Sequence, residues 1–102
     1  MVDKIFKSLA DVNRRKILSI LKNGDLTVSE ILKFLDIKQA TLSSHLAILR
    51  KAGLVNFLIR GKQRIYKLNR ETLAGFVKKL NGFIETAEIN TDNEIIVRRK
   101  SD

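Results

Sequence analysis

Residues 27–55 read TVSEILKFLDIKQATLSSHLAILRKAGLV, and the fold turns on how this stretch divides. Thr27-Val28-Ser29-Glu30 fits a capping box, in which the Thr27 hydroxyl and the Glu30 carboxylate satisfy free backbone N–H groups at a helix start. A helix from there to about Leu35 would bury Val28, Ile31, Leu32 and Leu35, which recur at helical spacing. Asp36 and Ile37 make a tight connection, and a second helix is predicted from about Gln39 to Ala52, with Leu42, Leu46 and Leu49 inward and Gly53 as its stop. Gln39, Ala40, Ser43, Ser44 and Ala47 then point away from the core. Two short helices with a brief turn, the second showing a small polar face, form the pattern of a helix-turn-helix.

The flanks extend this unit in both directions. Upstream, Ile5, Phe6 and Leu9 suggest a short first helix, and Asp11 is placed as the N-cap of a second in which Ile17, Leu18 and Leu21 share a face, with Gly24 ending it. Downstream, Leu54 to Ile59 and Arg64 to Leu68 are rich in β-branched, aromatic and apolar residues, separated by Arg60-Gly61-Lys62-Gln63. That glycine suits a hairpin turn with a cationic tip, a wing. Asn69 can cap a last helix to about Ile89, striped by Leu73, Phe76, Leu80, Phe83 and Ala87. Gly75 and Gly82 weaken that helix unless another element approaches closely. Asn90 to Asn93 reads as a turn, and Glu94 to Asp102 as a tail that could add a strand through Ile95, Ile96 and Val97. The expected fold is mainly α with a small β-hairpin, a single winged helix-turn-helix domain over 1–102: helix-turn-helix about 27–52, wing about 54–68, dimerisation helix about 70–89 and tail 90–102.

Charge locates the working surface. The chain carries +9 in 102 residues, and nothing between Asp36 and Glu71 is acidic. Residues 37–70 hold Lys38, Arg50, Lys51, Arg60, Lys62, Arg64, Lys67 and Arg70, a net +8, against +2 before and −1 after. Eight uncompensated cations in one unit fit a polyanion, although a solvated basic face, a membrane surface or an acidic protein would also suit the charge alone. The absence of cysteine and the single histidine exclude disulfides, thiol catalysis and Cys- or His-rich metal centres. Paired acids, a nucleophile with its base and a phosphate-cradling glycine loop are all missing, so no enzyme is expected. No apolar run approaches the roughly 20 residues of a bilayer span, and the first ten residues lack a signal-peptide core, so a cytoplasmic protein without membrane insertion is expected.

The outward face of the 39–52 helix is free of charge. Short side chains let a helix backbone approach base edges in a major groove, while Gln and Ser supply donors and acceptors. Gln39 is the best candidate for base reading, with Lys38 and Thr41 placed for phosphate or base contact at the positive end of the helix dipole, beside Ser43 and Ser44. His45 has no partner for catalysis or metal binding in the acid-free segment; a partly buried, hydrogen-bonded ring or a phosphate contact are its two readings. Arg60, Lys62 and Arg64, with Gln63, would let the wing follow the backbone or enter a minor groove. Arg50 and Lys51 can instead favour the C-terminus of their own helix, and Arg14, Arg15 and Lys16 can touch flanking phosphates or pair with acids such as Asp11.

Taken together, Leu9-Ala10-Asp11 with Arg14-Arg15 and Ile17-Leu18, the run Gln39-Ala40-Thr41-Leu42-Ser43-Ser44-His45-Leu46, then Leu49-Arg50-Lys51-Ala52-Gly53-Leu54-Val55 and the Gly61 wing ending in Tyr66 resemble the ArsR/SmtB-type winged-helix repressors over roughly residues 5–69. The resemblance implies a homodimer formed through the first and last helices that binds an inverted repeat and represses its promoter. It carries Gln39, Thr41, Ser43, Ser44, His45 and the wing cations over as DNA contacts. Where metal-sensing relatives have Cys-x-Cys on the third helix this chain has Thr27 and Ser29, and its last helix has no histidine, which places it nearest the metal-free, autorepressor-like branch with no cofactor. Val12 and Ala40 stand where the family often has proline.

The dimer also has a physical argument. A helix this long and apolar, with Leu73, Phe76, Leu80 and Phe83 joined by Ile5, Phe6 and Leu9 of the first helix, offers more apolar face than one small core covers. The expected partners are double-stranded DNA, a second copy, and an unidentified effector or protein regulator. The alternative is a winged-helix interaction module for RNA or an acidic protein, with few aromatics on the hairpin beyond Phe57 and Tyr66 to stack RNA bases.

Overall fold

The computed structural model describes residues 2–86; the proposed turn at Asn90–Asn93, the Ile95–Val97 strand and the rest of the 90–102 tail lie outside them, as does Ala87. In chain order the elements are α1 (Val2–Leu9), α2 (Val12–Leu21), β1 (Leu26–Thr27), α3 (Val28–Leu32), α4 (Gln39–Lys51), β2 (Val55–Arg60), β3 (Gln63–Leu68) and α5 (Arg70–Thr86). No helix among the described residues is long and apolar enough to cross a membrane.

Local chemistry sets most of these boundaries. Asp11 caps α2, its carboxylate accepting from the backbone N–H of Asn13 at 2.8 Å and of Arg14 at 3.2 Å. The capping box of α3 is complete: Thr27 Oγ1 accepts from Glu30 N–H at 3.2 Å, and Glu30 Oε1 from Thr27 N–H at 2.8 Å. At the end of α4, Leu54 N–H donates to Leu49 C=O at 3.0 Å and Gly53 N–H to Arg50 C=O at 2.9 Å. This is a Schellman closure, and Gly53 at φ +81° takes the left-handed position it needs. Asn69 starts α5 by accepting from Thr72 N–H at 3.2 Å while its own N–H donates to Leu54 C=O at 2.8 Å.

Three local expectations shift. α3 stops at Leu32 rather than about Leu35, because the chain tightens into i→i+3 bonds, Phe34 to Ile31 at 3.0 Å and Leu35 to Leu32 at 3.2 Å. The connection to α4 therefore spans 33–38, with Leu35 and Ile37 half-buried against the core. The expected two-stranded hairpin is a three-stranded antiparallel sheet of order β1-β3-β2, since Leu26 and Thr27 pair with Tyr66 and Ile65. The wing turn is also shorter than expected: Arg60 pairs with Gln63, leaving Gly61, at φ +63°, and Lys62 as the turn.

A single apolar core joins these elements. Ile17, Leu21, Ile31, Leu42, Leu46, Leu49, Leu54 and Val55 are fully enclosed, and Ile5 of α1 and Phe76 of α5 complete the cluster. The helix-turn-helix and the wing thus share one hydrophobic foundation. β1 adds a second tie, because the strand that leads into α3 is hydrogen-bonded to the strand that leaves the wing tip.

Candidate nucleic-acid interface

Burying Leu42, Leu46 and Leu49 turns the opposite side of α4 to solvent. Gln39, Ala40, Thr41, Ser43 and Ser44 are all exposed; Ala47 is half-buried, and Ile48 adds an exposed apolar side chain that a charge-free polar face does not anticipate. Lys38 is the N-cap residue but makes no side-chain capping bond, and the first turn of α4 has no acid. The positive end of this helix is therefore left without a local counter-charge, an arrangement suited to a phosphate.

The wing comes to the same surface. Arg60, Lys62, Gln63 and Arg64 are exposed, and Lys62, Gln63 and Arg64 line a shallow groove of about 270 Å³ with Gln39 and the α3 start at Thr27, Val28 and Ser29. Arg64 is braced rather than free: its guanidinium lies 4.5 Å from the centre of the Phe57 ring, which packs against Tyr66 at 5.3 Å. Arg50, at the end of α4, reaches the same ring at 5.6 Å. Phe57 thus gathers a cation from α4 and one from the wing, giving Arg50 a cation–π contact beside its place in the last turn of α4. Its aromatic neighbours on the hairpin were the available sequence signal.

His45 stands apart from this surface. Its side chain is 12% exposed and turned toward α2, where Arg14 Nη1 lies 3.2 Å from Nδ1 and Asp11 Oδ1 lies 4.0 Å from Nε2. The acid that residues 37–70 lack arrives from the α2 N-cap. Desolvation raises the Asp11 carboxyl, but the backbone hydrogen bonds from Arg14 and Asn13, together with the Arg14 charge and that of the His45 ring once protonated, outweigh it, so the group titrates below its ordinary range. Glu30 is held down too, chiefly by the backbone and hydroxyl of Thr27.

Two of the cations on α2 also bond backbone carbonyls. Arg14 donates to the carbonyls of Ser8 at 2.7 Å and Lys7 at 3.2 Å, and Arg15 to that of Leu9 at 2.7 Å. They close the end of α1. Arg70 does the same for α2, donating to Lys22 C=O at 2.9 Å. Such tertiary capping leaves no periodic trace in sequence.

The residues expected at a dimer contact divide. Ile5 and Phe76, at 3% and 7% exposure, are absorbed by the protomer's own core, and Leu9, Leu73 and Leu80 are half-buried against it. Phe6 and Phe83 remain 51% and 68% exposed. With Phe76, Lys79 and Leu80 they line an almost wholly apolar cleft of about 440 Å³, in which the Phe6 ring meets Phe76 edge-on at 5.1 Å. Among the described residues, no three of His, Cys, Asp and Glu come together as a metal-binding group.

Known proteins share both the sequence and this geometry. The model of bacterial regulatory proteins of the arsR family matches residues 11–56. The transcriptional repressor SdpR of Bacillus subtilis is 32% identical over 87 residues, covering 85% of this chain and 97% of SdpR. A crystal structure of an ArsR family transcriptional regulator superposes with a TM-score of 0.76 at 28% identity, over 82% of this chain and 92% of that one. The homodimeric winged helix-turn-helix DNA-binding domain from Mycobacterium bovis, solved by NMR, gives 0.68 at 25% identity, over 88% and 84%. With its recognition helix, wing and core in this arrangement, the chain belongs to the ArsR family, bacterial transcriptional regulators that bind DNA through a winged helix-turn-helix.

Proposed function

We propose that the protein is a homodimeric repressor that reads an inverted-repeat operator without a metal. The observation that carries this reading is the shared surface of Gln39 and the wing cations Lys62 and Arg64, beside a helix face without charge. Gln39, Thr41, Ser43 and Ser44 would meet base edges, Lys38 and the α4 N-terminus the adjoining phosphates, and Arg60, Lys62, Gln63 and Arg64 the flanking backbone or minor groove. Exposure of Phe6 and Phe83 at the α1–α5 cleft supports the second copy, as does the homodimer of the M. bovis relative. Dimer symmetry would set two recognition helices about one DNA turn, ~34 Å, apart. The metal-free reading rests on the donors: no cysteine, one histidine, and a Thr27 hydroxyl already occupied as a helix cap.

Selection of duplexes from a random pool tests these points together. The expected result is a two-fold symmetric site with half-sites about 10 base pairs apart, bound equally well in the presence of a chelator. Selection of no motif, with all duplexes bound alike at physiological salt, would remove the claim of sequence-specific reading. Sedimentation at micromolar concentration should show a dimer.

A further inference from the structure

His45 sits on the recognition helix but faces a guanidinium that is also bonded to α1. Arg14 donates through Nε and Nη2 to the carbonyls of Ser8 and Lys7, while its Nη1 lies 3.2 Å from His45 Nδ1. A guanidinium has donors only, so Nδ1 has to accept, and a neutral ring then carries its proton on Nε2, the side facing Asp11. The charged groups that face the ring are Arg14 and Asp11, both at the start of α2, and α1 contributes backbone carbonyls to the same guanidinium. No hydrogen bond or ion pair joins the ring to α3 or β2, which also pack on α4.

Building on the DNA-binding reading above, we infer that His45 is a positioning residue acting through Arg14 rather than a DNA contact: neutral, it docks the recognition helix onto α1, and protonated, it releases it. Protonation replaces the Nδ1 lone pair by an N–H that points at another N–H, and adds a positive charge beside a fixed one. The link and the second proton exclude each other. The connection therefore depends on the protonation state of the ring. Because α1 also bears Phe6, the same bond joins the apolar cleft to the reading helix.

The two roles open to His45 have opposite signs. A phosphate contact gains affinity as the ring becomes cationic, whereas a positioning link loses it. The test measures affinity of the full chain for its selected duplex at constant salt, at about pH 7.5 and about pH 5.5. Wild type is expected to weaken about tenfold on acidification, the loss of one charge-assisted hydrogen bond. His45→Ala should weaken binding already at the higher pH. His45→Asn, whose Oδ1 occupies the place of Nδ1 and accepts from Arg14 without titrating, should restore it and abolish the pH step. Tighter binding in acid that His45→Asn removes would overturn the inference in favour of a phosphate contact, and a pH step surviving in His45→Asn would overturn it as well. A readout without DNA separates this from the parent proposal: ¹⁵N resonances of the free protein should report an unprotonated Nδ1 at the higher pH. A protonated Nδ1 there overturns the link even if DNA binding stands, and an absent operator leaves that measurement intact.

Discussion

The α4–wing surface and the α1–α5 cleft are both exposed parts of one small core, yet they are finished in opposite ways. On the first, every large apolar side chain of α4 except Ile48 is drawn inward, and what remains outside is short, polar or cationic on a closely fixed backbone. On the second, phenylalanines are left at the rim and the lining is almost entirely apolar. A surface that water can solvate until DNA replaces the water needs shape and charge. A surface that water solvates poorly is completed by more apolar material. The two finishes suit different kinds of partner on one chain, and substitutions on each should separate stability from assembly and from DNA binding.

The sharpest contrast lies within the α5 stripe itself, between Phe76 and Phe83. Phe76 is in the core, so Phe76→Ala should cost about 3–5 kcal/mol by denaturant unfolding, the usual loss for a buried ring and the cavity it leaves. Phe83→Ala should leave the protomer's own packing intact and show its effect instead as concentration-dependent dissociation. Equal stability losses at both positions, independent of protein concentration, would mean that the cleft belongs to the protomer's core.

On the other surface, the equivalent contrast is between backbone and side chain. Gly53→Ala places a Cβ at φ +81° and should cost about 1–2 kcal/mol, because the left-handed conformation crowds Cβ against the carbonyl. The added atom meets only Thr72, at 3.7 Å, so the penalty is conformational rather than a clash. DNA affinity of the folded fraction should be retained. Lys62→Ala with Arg64→Ala should do the reverse, leaving stability within about 0.5 kcal/mol while lowering the slope of log affinity against log salt by about two, one for each phosphate contact removed. An unchanged slope would place the wing away from the backbone.

How much of this was legible follows from the range of the interactions involved. Asp11, Thr27, Glu30, Gly53 and Asn69 act on backbone groups within a few residues, and each could be assigned from the sequence because the partner's position is fixed by helix geometry. The family was legible for a related reason, since the recognition run and the Ala-Gly-Leu-Val that follows lie together in the chain. β1 is two residues long, too short for an alternation to register, and the early end of α3 depends on how Leu35 and Ile37 pack. Arg14, Arg15 and Arg70 were visible as cations, but their carbonyl partners belong to neighbouring helices and to no sequence pattern. Phe76 and Phe83 look alike in a helical stripe; only the fold shows that one faces inward.

Acid should touch the two surfaces unequally as well, with the smallest of these effects. Asp11 and Glu30 bond backbone N–H groups at the starts of α2 and α3, and both carboxyls titrate lower in the folded protein than in the unfolded chain. The unfolded chain therefore takes up protons first as the pH falls. Their contribution is fully present above the ordinary carboxylate range, around pH 4, and is lost as pH drops through that range and then through the lower folded values. Asp11→Asn preserves an N-cap oxygen but not the charge, so it should be less stable than wild type near neutrality, approach it in acid, and so show a shallower loss of stability as the pH falls. The α1–α5 cleft is lined by Phe6, Phe76, Leu80, Phe83 and Lys79, with no carboxylate, so Phe83→Ala should keep the wild-type acid slope. If Asp11→Asn instead retains that slope, the acid sensitivity of the fold comes from groups other than the α2 cap.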